Sequence, residues 1–246
     1  LGIRGVHDGK MQGANTVQEQ KEALTQILKD QREMIKRIIN PDIEKVSQVF
    51  IPYKEVLDVY NAGLEVPDDV TLMWCDDNYG YINHFPTTAE RNRKGGNGVY
   101  YHVSYWGRPH DYLWLSTMHP AQIFYQLKMA YDKGARDMWI INVGDIKPAE
   151  YQLEMIMDMA WSIEGIQPDK MGLDNHLKNW LQREFGKKYA EELLHIMNEY
   201  YRLAYIRKPE FMGNTRTEET NPAYKAVSDL PWSEQEINQR IADYQA

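Results

Sequence analysis

Asp76 and Asp77 stand side by side where an apolar run rich in β-formers, VTLMWC from Val70 to Cys75, gives way to the polar loop NYGYINHFPTTAERNRKGGNG. A buried strand that stops at adjacent carboxylates delivers ionisable groups to the edge of a core, where water and ligand can reach them. In parallel α/β sheets such groups gather at strand ends, because the loops converge there while the strand interiors stay packed. The other apolar runs end in similar residues. Arg4 with His7 and Asp8 closes the run LGIRG, Tyr53 and Glu55 follow QVFIP, Asn78 follows the two aspartates, Tyr105 ends VYYHVSY, and Asp145 follows MWIINV. Paired acids in one cleft push their pKa values apart, so that one remains protonated as a general acid while another is ionised as a base. Glycoside hydrolysis has that requirement.

Each residue also has a purely structural reading. Asp76 and Asp77 suit a loop entry or helix cap, Glu55 opens a helix whose macrodipole favours a carboxylate, and Asp8 precedes a glycine as turn residues do. Arg4 is harder to dismiss, since a covered guanidinium must find an acceptor. Gly95, Gly96 and Gly98 precede their strand and read as a turn, not as a phosphate cradle. Cys75 with His102 could form a thiol and base, but a cysteine inside an apolar strand reads as buried and inert. The seven histidines show no H-E-x-x-H or related spacing, so no metal site is expected. The rim aromatics Tyr79, Tyr81, Tyr101, Trp106, Tyr112 and Trp114 could stack on sugar faces, although packing explains most of them.

The elements that would position these groups alternate. Thr16 to Ile39 carries Leu24, Ile27, Leu28, Ile35, Ile38 and Ile39 at helical spacing and stops at Pro41. Gln48 to Pro52 reads as a strand, Lys54 to Asn61 as a helix capped by Gly63, Val70 to Cys75 and Val99 to Tyr105 as strands. Pro120 to Lys133 forms a helix closed by Gly134, Met138 to Val143 a strand, and Pro148 opens a helix to about Trp161. With LGIRG as the end of a first strand, about five β/α units follow one another, which calls for a parallel sheet with helical crossovers. After about Gly165 the strand signal ends. Leu177 to Tyr201 fits one or two amphipathic helices, Pro209 to Leu230 an extended loop, and Ile237, Ile241 and Tyr244 mark a last helix.

The 246 residues, 43% hydrophobic and 26% charged, describe a globular chain and exclude disordered or collagen-like classes. A formal charge of −8 argues against nucleic acid as a partner. Cys75 is the only cysteine, so no internal disulfide forms. No apolar run approaches the roughly 20 residues of a membrane span, and no signal-peptide pattern is present. A start at Leu1 within what reads as a strand suggests a chain cut from a longer one, with any targeting signal upstream.

Five segments in register, GIRGVHDGKM, QVFIPYKEV, VPDDVTLMWCDDNYGYI, ERNRKGGNGVYYHVSYWGRPHDYLWLST and GARDMWIINVGDIKPAE, resemble the catalytic barrel of glycoside hydrolase family 115, the xylan α-1,2-glucuronidases. The resemblance covers about the first 165 residues. It implies the latter part of a (β/α)8 barrel over residues 1–165 and an α-helical domain over 166–246, in a multidomain protein that is secreted, periplasmic or on the cell surface. It implies an inverting hydrolase, needing no cofactor, that removes glucuronic acid or its 4-O-methyl ether from O2 of xylose in glucuronoxylan or its oligosaccharides. Glu55 is then the expected acid, with Asp8 or Asp76 positioning water roughly 6.5 to 9.5 Å away. Arg4 is the expected clamp for the uronate carboxylate, with His7, Asp77, Asn78 and Tyr105 binding substrate. Tyr79 stands where the family commonly has tryptophan. A half barrel would expose strand edges, so these residues alone are expected to be inactive. A non-catalytic carbohydrate-binding barrel and a hydrolase of another α-linked acidic sugar are the competing readings. A homodimer through the helical region is a further expectation.

Overall fold

The computed structural model describes residues 1–6, 9–107, 111–113, 115–209 and 233–245. Among them the order is α1 Val17–Ile38, β1 Val49–Phe50, α2 Glu55–Asn61, β2 Thr71–Cys75, α3 Thr88–Arg91, β3 Asn97–His102, α4 Pro120–Asp132, β4 Met138–Asn142, α5 Glu150–Trp161, α6 Lys170–Phe185, α7 Ala190–Ile206 and α8 Glu234–Gln245. The fold is α/β, with a sheet in the order β1-β2-β3-β4. β1 and β3 run parallel to β2, with Thr71 opposite Val49 and Leu72 opposite Asn97. Hydrogen bonds from Asp137 N–H to the Asn97 carbonyl and from Val103 N–H to the Asn142 carbonyl carry β4 in the same sense. The residues group into two compact units, Leu1–His102 with Gln126–Ile141, and Val103–Tyr125 with Asn142–Ala246.

The first unit is built on β2. Val70, Leu72, Met73 and Trp74 are sealed from solvent, as an apolar strand flanked on both sides must be. β3 enters the sheet through glycines. A Cβ on Gly98 would stand 2.3 Å from both Met73 Sδ and the Met138 carbonyl oxygen, and one on Gly95 would stand 2.4 Å from the Val70 backbone. The glycine run therefore permits close approach of neighbouring backbones. α1 starts as the sequence indicates: Thr16 Oγ1 accepts from Glu19 N–H, and the Glu19 carboxylate accepts from Thr16 N–H. Its apolar face buries Leu24 and Leu28. Gly63, at φ +88°, and Gly134, at φ +102°, end α2 and α4 in the left-handed turns expected of them.

Three expectations are corrected. Residues 1–5 form no strand. Leu1 donates one hydrogen bond to the Val49 carbonyl, while the Gln31 side chain takes up both the N–H and the C=O of Gly2. With those groups satisfied by a side chain and β1 only two residues long, no ladder forms; four strands are found among the described residues where five were expected. β3 begins two residues early because Asn97 and Gly98 pair with Leu72 and Met73. The four-residue α3 was missed, although Thr87 and Glu90 form a capping box.

In the second unit the described residues after Gly165 form three helices, α6, α7 and α8, and Pro148 lies in the turn before α5. Tyr151, Met155, Ile156, Leu177, Leu181 and Tyr201 are buried. The Arg240 guanidinium donates to the carbonyls of Leu203 and Arg207, closing the end of α7. Residues 210–232, which hold nearly all of the expected loop, lie outside the described residues. Among the described residues no helix is long and apolar enough to cross a membrane.

Candidate active site

Strand β1 ends at Phe50; Ile51, Pro52, Tyr53 and Lys54 follow, and Glu55 opens α2. Lys54 has φ +51° and ψ −123°. Asn78, just past the end of β2, has φ +74°. Left-handed backbone in a residue with a side chain costs roughly 1–3 kcal/mol and persists only where the surroundings impose it. Tyr53 donates its phenol hydrogen to Asn78 Oδ1 at 2.6 Å, tying the loop after β1 to the loop after β2.

Glu55 is held by Arg4. Nε and Nη2 of the guanidinium approach Glu55 Oε1 at 3.2 Å, and Nη2 approaches Oε2 at 3.1 Å. Both side chains are largely covered, with accessibilities of 15% and 14%. A two-atom contact of this kind fixes the plane of the carboxylate as well as its position. The same guanidinium lies 4.8 Å from the Tyr53 ring centroid, and the Lys54 ammonium lies 4.9 Å from it.

Asp76 closes the network from β2. Its Oδ1 is 2.5 Å from His102 Nδ1, at the end of β3, and its Oδ2 accepts from Gly80 N–H at 3.0 Å. The Tyr53 and His102 rings are stacked. Asp76 and His102 are both buried, and the Asp76 side chain has no accessible surface. Burial raises the Asp76 carboxyl above its ordinary range, against the opposing pull of His102 and of the Gly80 N–H. Asp77 Oδ1 accepts from the backbone of Tyr79 and of Tyr81, and Tyr101 donates its phenol hydrogen to the Gly80 carbonyl. The segment from Asp76 to Ile82 is thus clamped along its length.

Arg4 with Glu55, Tyr53 with Asn78, and Asp76 with His102 are therefore three hydrogen-bonded pairs near the carboxyl ends of β1, β2 and β3, joined through the Tyr53 ring, which meets the Arg4 guanidinium and stacks on His102. Asp77 adjoins them through the loop backbone. Tyr105 belongs to the second unit, where it is buried and exchanges two backbone hydrogen bonds with Tyr112. Asp145, in that unit as well, is exposed. His7, Asp8 and Trp114 lie outside the described residues. Of the rim aromatics, Tyr101 and Tyr112 are core, whereas Tyr81 and Trp106 are exposed by 46% and 67%. Cys75 is buried, and the ring at the end of β3 meets Asp76. No group of three His, Cys, Asp or Glu side chains among the described residues could hold a metal ion.

From the sequence, His102 stands out only as a partner for Cys75, Tyr53 only as a strand-end residue, and Lys54 not at all. A histidine closing an apolar run one strand away from an aspartate pair was the available signal. Using it required the pairing of Cys75 with Tyr100, which sets the two strand ends level.

A parallel sheet whose strand ends are cross-linked by carboxylates, a guanidinium and an imidazole defines an α/β protein with its site at the carboxyl edge of the sheet. The chain belongs to glycosyl hydrolase family 115, whose model matches residues 1–211. One solved structure that it resembles is described as a novel family GH115 4-O-methyl-α-glucuronidase, BtGH115A, with specificity for decorated arabinogalactans; the two are 65% identical, with a TM-score of 0.90 over 100% of this chain. The match spans 32% of that protein's chain. Comparison with curated proteins returns no match.

Proposed function

We propose that the protein carrying this chain is an α-glucuronidase that removes glucuronic acid, or its 4-O-methyl ether, from a polysaccharide with inversion. Residues 1–165 would form part of a (β/α)8 barrel and 166–246 a helical domain. The observation that supports this reading most directly is Glu55, oriented through two atoms by Arg4 beside the Asp76-His102 pair, in a chain of family 115.

In this scheme Glu55, which must take up a proton against the pull of the Arg4 guanidinium, gives it to the glycosidic oxygen as the bond to the sugar breaks, and Asp8 takes the proton of the water that attacks the opposite face. Asp76 was the other residue expected to hold that water. Its oxygens are fully buried, so we give it a positioning role, acting through His102. Two carboxyl groups and a water complete the reaction, and no cofactor enters the scheme.

Identity of 65% to a protein described as specific for decorated arabinogalactans favours such polymers as substrate. The α-1,2-linked uronic acid of glucuronoxylan is the second reading, resting on the sequence motifs. Either polymer lies outside the cell, which favours a secreted or periplasmic protein.

Release of free uronic acid tests the proposal. Glu55→Gln and Asp8→Asn are each expected to lower the rate by about 10²- to 10⁴-fold with circular dichroism unchanged. Full activity in either variant removes that residue from the scheme, and sugar binding without any release by the unsubstituted protein would favour a binding module.

A further inference from the structure

We infer that Tyr53 is a positioning residue for the reaction, holding the Arg4–Glu55 pair in register with the ends of β2 and β3; this rests on the glucuronidase reading and deepens it. Residues 1–5 belong to no strand, so the ladder of the sheet does not place Arg4. Its guanidinium nevertheless meets both oxygens of Glu55, and where it sits sets the plane of that carboxylate. The guanidinium carbon also lies 4.8 Å from the Tyr53 ring centroid, within the range of a cation–π contact.

The same ring is fixed from two further directions. Its phenol donates to Asn78 Oδ1 at 2.6 Å, in the loop after β2, and its face stacks against His102 at the end of β3, with centroids 6.2 Å apart. Those two strand ends are already level, because Cys75 pairs with Tyr100 in the ladder. One side chain from the loop after β1 therefore carries the register of the sheet to a guanidinium that lies outside it. Apolar burial does not account for this placement: Tyr53 is only half-buried, whereas Tyr101 is sealed in the core. The neighbours of the Tyr53 ring include a guanidinium, a carboxamide and an imidazole. A group that transfers a proton to the glycosidic oxygen must be held within a fraction of an ångström, and Tyr53 supplies that constraint two residues before Glu55.

The test is the rate of uronic acid release by the protein carrying this chain, with kcat and KM separated. Tyr53→Phe keeps the ring and removes its tie to Asn78, and kcat is expected to fall about tenfold. Tyr53→Leu also removes the face offered to Arg4 and His102, and kcat is expected to fall about a hundredfold, the effect of a misplacement near 1 Å. KM should change by less than about twofold in either, since the loss falls on the transition state. Combined with Glu55→Gln, neither substitution should slow the protein further, because Tyr53 acts through Glu55. Parental kcat in Tyr53→Phe, a loss confined to KM, or losses that multiply with that of Glu55→Gln overturn the inference; Tyr53→Phe, nearest in shape, decides if Tyr53→Leu does not fold. A crystal structure of the Tyr53→Phe protein decides the placement without turnover: displaced Arg4 and Glu55 side chains are expected, and parental positions overturn the inference. Absence of uronic acid release by the unsubstituted protein overturns the hydrolase reading alone.

Discussion

A carboxyl group sealed from water is stable only with its hydrogen-bond partners in place, and Asp76 has two, His102 and the Gly80 N–H. Replacing His102 by Phe keeps a ring of similar shape but strands one carboxyl oxygen. The expected cost is roughly 1–3 kcal/mol, read as a lower urea midpoint with an unchanged slope. Asp76→Leu removes the carboxyl along with the need for a partner, so His102→Phe added to it should cost much less than in the parent background. Additive losses would show that the two side chains are not energetically coupled. If the pair positions the catalytic groups, both single variants also lower kcat/KM, and Asp76→Asn, which keeps an acceptor toward His102, lowers it least.

At the scale of elements, Glu90 joins pieces that the sequence leaves far apart. Its carboxylate accepts from the Tyr60 phenol of α2 at 2.8 Å and from Thr87 N–H at 2.7 Å, and lies 2.9 Å from His84 Nε2. Its backbone carbonyl accepts from Asn97 at the start of β3, and Asn97 Oδ1 accepts from Trp74 of β2. Burial alone would raise this carboxyl, but His84, the Thr87 backbone and hydroxyl, and Tyr60 together carry it below its ordinary 4.5. A folded-state value below the unfolded one contributes stability that is fully present above about 4.5 and is lost as pH falls through the lower, folded-state value. Glu90→Gln should therefore lower the melting temperature at pH 7 and narrow its gap to the parent as pH drops below that range. A constant gap from pH 7 to pH 3 would mean that the ionised form adds nothing. The same phenol proton is held tightly, because burial and the neighbouring Glu90 push Tyr60 far above its ordinary range.

For the whole protein, the decisive comparison is between polymers. On the proposed glucuronidase reading, the uronic acid is the part of the substrate that the residues at the ends of β1 to β3 would meet, whereas the polymer backbone would meet loops, whose variation changes specificity on an unchanged fold. With the protein carrying this chain, release of 4-O-methylglucuronic acid is expected to be faster from decorated arabinogalactan than from glucuronoxylan, following the 65% identity to BtGH115A. The reverse order would return xylan as the preferred substrate without touching the reaction itself.

The sequence by itself determined where the longer helices lie and that Gly63 and Gly134 close two of them, because those signals are local. Thr16 with Glu19, Gly63 and Gly134 fix element ends through contacts spanning a few residues, and an apolar period fixes which face is buried. It also determined that acids would stand at strand ends, since carboxylates are expelled from apolar runs wherever they occur. Where a strand begins, and whether residues 1–5 form one, depended on partners the chain meets only after folding. The pairings of the site were decided in the same way. Arg4 and Glu55 are 51 residues apart, Tyr53 and Asn78 are 25, and Asp76 and His102 are 26. No local pattern encodes such a pair. For Tyr53 with Asn78 and Asp76 with His102 the register between parallel strands does, because it sets which strand ends lie level, and register is a property of the assembled sheet; Arg4 reaches Glu55 from outside the sheet. That is why Arg4 was recognised from its type as a residue in need of an acceptor, while only the tertiary structure showed that the acceptor is Glu55.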